Sequence, residues 1–190
     1  MGSAAHTVGP NAIIQTLAAV ASRAGLQARS DLAAQAKLES PVGGWQSMVQ
    51  VDLVNRLNAS VVAEFGAERA AAIMRDAGSR TGHYILENRI PSAVQTLLRW
   101  LPPKLATRVL LEAIAKNAWT FAGSARVEVG PDWICIHDNP ICLGRAGLSG
   151  CLWHEAVFQT LFSAIVGRSV EVRETHCLGR GDAFCRFEIV

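Results

Sequence analysis

The apolar spacing changes from a helical to a strand period near Gly123, and this change constrains the fold more than any other feature of the chain. Before it, residues such as Leu110 and Ile114 follow the spacing of an amphipathic helix. After it, Val127 and Val129 alternate with polar residues, as in a half-buried strand. Helices first and antiparallel hairpins last predict an α+β fold, with helices packed on a twisted antiparallel sheet.

Glycine and proline divide the helical part of the chain. We predict a disordered tail over residues 1–10 and a glycine-punctuated loop over 78–84. The predicted helices, each with an apolar stripe between such breaks, are 11–25, 31–39, 46–77 with a break at Gly66, 91–101, and one that ends near Gly123. The segment Ser40–Gly44 is expected to separate the second helix from the third.

In the remaining third of the chain, the residue pattern predicts two hairpins joined by a helix. The first hairpin covers 127–137 and turns at Gly130-Pro131-Asp132, and the second covers 169–190. The helix between them runs from Cys151 to Gly167. We find no internal repeat.

Length and composition favour one folded domain with an extension. The chain has 190 residues, half of them apolar and 18% charged, which excludes an intrinsically disordered protein. We expect an N-terminal helical arm over 1–40 and a ligand-binding domain over 41–190. A net charge of +2 gives no reason to expect a nucleic-acid partner. No signal peptide or transmembrane segment is recognisable, so we expect a cytoplasmic protein, either free or peripheral to a membrane.

Strand alternation places a carboxylate and a thiol inside the second hairpin. Val170 and Val172 set the apolar side of the first strand, so Glu174 points to the same side, and Cys185 points inward from the return strand. Cys177 lies beside the turn, and Cys151 begins the helix that must cover the sheet. Three thiolates and a carboxylate form a complete tetrahedral set for zinc.

The same residues also fit a site without metal. Cys151 and Cys185 fit equally as ordinary buried thiols, with Glu174 turned to solvent by a bulge. An odd number of cysteines, five, argues against a disulfide framework but does not choose between these alternatives. Cys135 and Cys142 have no partner at metal-ligand spacing and are assigned as ordinary thiols.

The run Glu-Thr-His-Cys-Leu-Gly-Arg-Gly-Asp-Ala-Phe-Cys-Arg-Phe, residues 174–187, together with Cys151, resembles the signature of the 4-vinyl reductase domain family. The resemblance covers about the last 40 residues. The family includes sensor domains of aromatic-responsive regulators and a free-standing kind from bacteriochlorophyll biosynthesis. The chain is most like the free-standing kind, because it has no room for a regulator's ATPase or DNA-binding module.

The resemblance implies a zinc site and a fold. It implies Cys151, Glu174, Cys177 and Cys185 as the zinc ligands, and a Bet3-like fold shared with ligand-binding sensor domains. Four protein ligands leave no open position, so this zinc is expected to be structural, fastening the C-terminal hairpin to the helix that begins at Cys151.

The family also implies an apolar ligand pocket between the helices and the sheet. For a tetrapyrrole we expect His83 as an axial ligand, Arg80 beside a propionate, and Trp119, Trp133 and Trp153 as lining. Three further histidines are available as the axial imidazole, namely His137, His154 and His176. Each of these residues also fits an ordinary structural role, the tryptophans in a core and His83 in a solvated loop.

Three functions are consistent with the resemblance. The first is a zinc-containing tetrapyrrole-binding protein that carries a magnesium porphyrin or chlorophyllide intermediate to magnesium chelatase or a methyltransferase. The second is an 8-vinyl reductase that needs an external electron donor, because no Gly-x-Gly-x-x-Gly loop opens a helix. The third is a stand-alone sensor of small aromatic compounds. A homodimer is expected in each case, because sensor domains of the family dimerise.

Overall fold

The computed structural model describes residues 7–39, 44 and 46–190. Its helices are α1 (Asn11–Gln35), α2 (Val51–Asn88), α3 (Ser92–Trp100), α4 (Pro103–Lys116), α5 (Trp119–Ala122) and α6 (Leu152–Ile165). Its strands are β1 (Thr7–Val8), β2 (Val49–Gln50), β3 (Val127–Val129), β4 (Trp133–His137), β5 (Val172–His176) and β6 (Phe184–Ile189). This order confirms the α+β class, with helices before hairpins.

The two long helices are each kinked at a glycine. Gly25 in α1 and Gly66 in α2 have φ values of 94° and 71°, which suit glycine better than any other residue. The predicted breaks therefore lie at the correct residues, but the chain resumes as a helix beyond each of them. The predicted break at residues 40–43 and the division of the chain after residue 40 lie outside the described residues.

The predicted loop over residues 78–84 is wrong, because this segment belongs to α2. Gly78 and Gly82 lie where α2 crosses α6. A Cβ atom at position 78 would lie 2.8 Å from the Cβ of Ala156, and one at position 82 would lie 2.6 Å from the Cβ of Thr160. Both glycines thus permit close helix packing instead of a turn.

The C-terminal third of the chain contains an antiparallel sheet with the order β3-β4-β6-β5. Ile134 pairs with Phe187 and Ile136 with Cys185, and all four side chains are buried on the side of the sheet that faces α6. Phe187 meets Phe158 of α6 edge to face, with 5.2 Å between ring centroids. Both predicted hairpins and the inward side of β6 are confirmed.

Two side chains of α6 hold the edge strand β5. Gln159 accepts a 2.7 Å hydrogen bond from the Val172 N–H and donates one of 2.8 Å to the Val170 carbonyl. Glu155, one turn earlier, accepts from the N–H of Glu174 at 3.0 Å. These bonds satisfy backbone groups that β6 does not reach and fix β5 relative to the helix.

None of the helices in the described part of the chain is both long enough and apolar enough to span a bilayer.

Candidate metal centre

Four cysteines from four separate segments meet in the core. Cys142 follows β4 and precedes a 3-10 turn at Leu143–Ala146, and Cys151 is the residue before α6. Cys177 follows β5 and Cys185 lies in β6. Each is at most 4% exposed, so the sulfur atoms are shielded from solvent. The cluster therefore ties the loop after β4, the start of α6 and the C-terminal hairpin together.

The sulfur atoms have the spacing of a tetrahedral site. The Sγ of Cys151 lies 3.4 Å from that of Cys142, 3.6 Å from that of Cys185 and 3.9 Å from that of Cys177. Cys142 in turn lies 3.6 Å from Cys177 and 3.8 Å from Cys185. Four sulfurs bound tetrahedrally to zinc at about 2.3 Å are about 3.8 Å apart, so the residues fit this metal.

The distances also exclude disulfides within the cluster, because a bonded pair of sulfur atoms is about 2.05 Å apart. All four side chains are free cysteines. A tetrahedral set of four thiolates is typical of zinc and of iron. It is a closed set, with no coordination position left for a substrate.

The thiols influence one another's ionisation. Hydrogen bonds from the Cys151 and Cys185 thiols lower the pKa of Cys142, and a hydrogen bond with Cys151 lowers that of Cys177, so the cluster favours the thiolate at these two sulfurs. The hydrogen bond to Cys142 raises the pKa of Cys151 and raises that of Cys185 to about 12. Metal binding requires thiolates, so the protons of the other thiols leave when an ion enters.

Cys142 is therefore not the isolated thiol that the sequence spacing predicts. It lies at the fourth corner of the cluster, where the sequence analysis expects Glu174. Glu174 points inward as predicted, with a side chain only 5% exposed. Its Oε2 accepts a 2.8 Å hydrogen bond from the N–H of Cys151 and lies 3.9 Å from Nη1 of Arg180. Zinc ligation by Glu174 stays a prediction.

The surroundings of Glu174 are closely packed. A Cβ at Gly150 would collide with Oε2 of Glu174, so a larger residue there would require the carboxylate to move. Among the described residues, Oε1 of Glu174 is buried without a hydrogen-bond partner. Burial raises the pKa of this carboxyl.

Two of the four clustered cysteines begin the same short sequence. The sequence Cys-Leu-Gly-Arg occurs at residues 142–145 and again at 177–180, and each copy enters a 3-10 turn. Gly144 and Gly179 lie against each other, since a Cβ on Gly144 would be 2.7 Å from the Cα of Gly179. This repeat, overlooked in the sequence, is the signal that identifies Cys142 as the counterpart of Cys177.

The residues predicted to bind a tetrapyrrole lie on several elements. Arg80 and His83 are on α2, where Arg80 pairs with Asp76 at 3.1 Å and Nδ1 of the exposed His83 lies 2.9 Å from the Ser79 carbonyl. Trp119 begins α5 and is largely exposed.

The other two predicted residues also lie apart. Trp133 is on the solvent-facing side of β4 and Trp153 is buried in α6. A groove of about 320 Å³ between the end of α2 and the start of α3 contains none of the five predicted residues. Trp153 lines a void of only about 10 Å³. The predicted pocket role of these residues stays untested.

A buried histidine that the sequence analysis left among several candidates lies near the cluster. His154 is 1% exposed, and its ring lies 5.0 Å from Trp153, 6.0 Å from Phe121 and 6.0 Å from Phe187. Neither of its nitrogens has a hydrogen-bond partner in the part of the chain that the structure describes. Burial lowers the pKa of His154 to about 4, so the ring is neutral near neutral pH.

The solvent-facing side of the sheet carries aromatic and imidazole rings. We call this set the outer sheet face: Trp133, His137, His176, Phe184 and Arg186. The centroid of Phe184 lies 5.6 Å from that of His137 and 5.3 Å from that of His176. The guanidinium of Arg186 lies over the ring of Trp133 at 4.6 Å. These side chains are half-buried or exposed, and so accessible to a planar ligand.

Comparison with known proteins agrees with the sequence resemblance. Residues 122–190 match the 4-vinyl reductase domain, and this region contains all four clustered cysteines. The chain is 41% identical to the bacteriochlorophyll synthase 23 kDa chain of Cereibacter sphaeroides, over 98% of this chain and 91% of the relative. It is 34% identical to the protein of the same name from Rhodobacter capsulatus, over 95% of this chain and 85% of that one.

A solved structure shares the fold. The phenol-responsive sensory domain of the transcription activator PoxR, solved with phenol, superposes with a TM-score of 0.52 and 17% sequence identity. The match covers 86% of this chain and 90% of the sensory domain. The sensor-like architecture predicted from the sequence is therefore present.

Proposed function

Since the chain belongs to the family of the bacteriochlorophyll synthase 23 kDa chains and contains a 4-vinyl reductase domain, we propose that it is a zinc-containing tetrapyrrole-binding protein of bacteriochlorophyll biosynthesis. In this role it carries or presents a magnesium porphyrin intermediate to pathway enzymes such as magnesium chelatase or a methyltransferase. The relatives' names support the pathway. The contacts of this chain's own residues support the binding role.

The observation that carries the binding role is the outer sheet face. Phe184 lies between His137 and His176, which offers an apolar ring for stacking with an imidazole on either side. Nε2 of His137 lies 3.3 Å from Oε2 of Glu128, so ligation by His137 would displace this contact, whereas the contact of His176 with Thr175 uses Nδ1. An imidazole is a suitable axial ligand for the magnesium of a porphyrin. Arg186 and the exposed Arg173 provide cations for the carboxylates at the porphyrin edge, in exchange for their present ion pairs with Glu188 and Glu171.

The interior offers less support for pigment binding. The void beside Trp153 has a volume of about 10 Å³, too small for a ligand of this class, whose pockets measure several hundred Å³. The large aromatic side chains Phe158, Phe162 and Phe187 fill the space between α6 and the sheet. A tetrapyrrole is therefore proposed to lie on the sheet rather than beneath it.

In this proposal Cys142, Cys151, Cys177 and Cys185 hold zinc, which contributes stability and no chemistry on the ligand. The cluster joins the C-terminal hairpin to α6, and Arg186, Phe184 and His176 belong to that hairpin. The metal therefore keeps the outer sheet face in place.

The test is titration of the full chain with magnesium protoporphyrin, followed by the Soret band and by tryptophan quenching. We expect saturable binding at micromolar pigment, weakened about tenfold or more in a His137→Ala, His176→Ala double variant. His83→Ala is the matched control, because His83 is an exposed histidine on α2 and the axial ligand that the sequence predicts. Loss of binding in the control alone would move the site to α2, and absence of saturable binding would defeat the proposal.

The same titration separates a carrier from a reductase. With divinyl protochlorophyllide and NADPH present, a carrier binds the pigment and leaves its 8-vinyl group intact. Loss of the vinyl group in the presence of this protein alone would show a reductase. Loss that requires an added electron-transfer protein would favour the reductase with an external donor.

A further inference from the structure

A second surface, separate from the outer sheet face, exposes large apolar side chains on two consecutive helices. We call it the α3–α4 face and define it by Val94, Leu97, Trp100, Leu105 and Val109. Trp100 is 84% exposed and Leu97 is 64% exposed, values far above those of the core. The helices α3 and α4 are consecutive in the chain and contact each other.

The exposure follows from helix geometry. Val94, Leu97 and Trp100 recur every three residues along α3, and Leu105 and Val109 are four apart on α4, so each set lies on one side of its helix. Neighbouring positions already supply buried residues to the core, namely Leu98 on α3, one turn after Val94, and Leu110, Leu111 and Ile114 on the opposite side of α4. The α3–α4 face is thus a second apolar side on helices whose first side is already used.

Positive charge is concentrated on the two helices that carry this face. Residues 92–116 contain Arg99, Lys104, Arg108 and Lys116 against Glu112, so their net charge is 4 − 1 = +3. The whole chain has a net charge of +2, so the remaining residues together carry −1. All five charged side chains are exposed, and Glu112 partly neutralises Arg108 through a 3.3 Å ion pair.

We propose that the α3–α4 face binds the surface of an anionic phospholipid bilayer. Tryptophan and leucine side chains enter the boundary between headgroups and acyl chains, while the surrounding lysine and arginine side chains meet anionic headgroups. This combination of exposed indole, aliphatic side chains and basic charge is typical of helices that lie in a membrane interface. The protein thus associates with the membrane from one side.

The charge also argues against a second copy of the chain as the occupant. A symmetric dimer through this face would bring two regions of +3 together, and like charges across an interface oppose association. A bilayer that contains anionic lipid supplies the complementary charge and an apolar layer at the same time.

The test uses the full zinc-loaded chain without pigment, so its outcome does not depend on the proposed tetrapyrrole function. Co-sedimentation is measured with vesicles of phosphatidylcholine and phosphatidylglycerol at 3:1 and with vesicles of phosphatidylcholine alone. We expect binding to the anionic vesicles that weakens as salt is added. Trp100→Ala and Lys104→Glu should each weaken it about tenfold, because one removes the indole that enters the bilayer interface and the other reverses a charge.

Leu26→Ala is the matched control for Leu97→Ala, since Leu26 is similarly exposed, at 70%, but lies on α1. Leu97→Ala should weaken binding and Leu26→Ala should not, with circular dichroism showing that both variants fold. Binding that is equal on both vesicle types, absent from both, or reduced equally by the two leucine variants would overturn the proposal. So would a dimer in light scattering that Trp100→Ala dissociates, because a second copy would then cover the face.

Discussion

The N–H of Cys151 donates a 2.8 Å hydrogen bond to Oε2 of Glu174, while the sulfur of the same cysteine lies 3.4 Å from Cys142. The carboxylate thus contacts the backbone at the start of α6, where an acidic group is favourable, and the fourth sulfur is supplied by Cys142. The two residues therefore have separable roles, one at the helix end and one in the cluster.

Cys142→Ser should lower zinc content well below one ion per chain and destabilise the fold by several kcal/mol, because it removes a ligand from a buried site. Glu174→Gln should retain zinc and lose only about 1 kcal/mol, because the amide oxygen still accepts from Cys151. Metal analysis and thermal unfolding measure both effects. Cys135→Ser, which alters a cysteine outside the cluster, is the control. Zinc loss in Glu174→Gln with retention in Cys142→Ser would instead support Glu174 as the ligand.

The free energy of unfolding should decrease as the pH is lowered and His154 becomes protonated. Burial lowers its folded pKa to about 4 from an ordinary value of 6.5, so the unfolded chain binds the extra proton first as pH falls. The neutral ring contributes fully to the free energy of unfolding above about pH 6.5. By about pH 4, about 3 kcal/mol of this contribution is lost.

Urea unfolding at several pH values measures this effect of His154. In His154→Phe the free energy of unfolding should depend less on pH between 6.5 and 4 than it does in wild type, since phenylalanine cannot take up a proton. His83→Phe changes an exposed histidine and should leave the pH dependence as it is in wild type. An unchanged slope in His154→Phe would show that this ring is already paired or solvated.

Gly78→Ala should destabilise the protein by about 1–3 kcal/mol, although alanine is the better helix former. The added Cβ would collide with the Trp153 carbonyl and lie 2.8 Å from the Cβ of Ala156, so α2 and α6 must move apart. Denaturant unfolding measures the loss. Ala63→Ser, at an exposed position of the same helix, should change stability by less than about 0.5 kcal/mol. Stabilisation by Gly78→Ala would contradict the close crossing.

Gln159→Met should cost about 2–3 kcal/mol, because the N–H of Val172 and the carbonyl of Val170 each lose a partner in a partly buried place. Hydrogen exchange should show faster exchange at Val172 than in wild type. Gln27→Met is the control, because the side chain of Gln27 bonds to the exposed side chain of Asp31. Wild-type protection of the Val172 amide in Gln159→Met would show that β5 does not depend on α6.

The hairpins could be predicted from the sequence because strand alternation is a local property. Val172 fixes which side of β5 is buried, and Cys185 and Phe187 follow on β6. Even the inward direction of Glu174 follows from this alternation, despite the irregular pairing between Glu174 and His176.

Contacts between distant segments could not be predicted in the same way. Gly78 and Gly82 resemble loop residues until α6, more than 70 positions later, is known to pack against them. Cys142 has no metal-ligand spacing to Cys177, since 35 residues separate the two. Only the repeated Cys-Leu-Gly-Arg tetrapeptide links them in the sequence, and its meaning depends on the fold.

The depth of the four sulfur atoms governs how fast an ion can leave. With Cys151, Cys177 and Cys185 at 0% exposure and Cys142 at 4%, a chelator has no direct access to the site. Exchange of zinc held by these four sulfurs would have to wait until the C-terminal hairpin opens, so the lifetime of the ion would report the frequency of that local opening. The rate at which isotopically labelled zinc replaces bound zinc would then measure how often the hairpin opens.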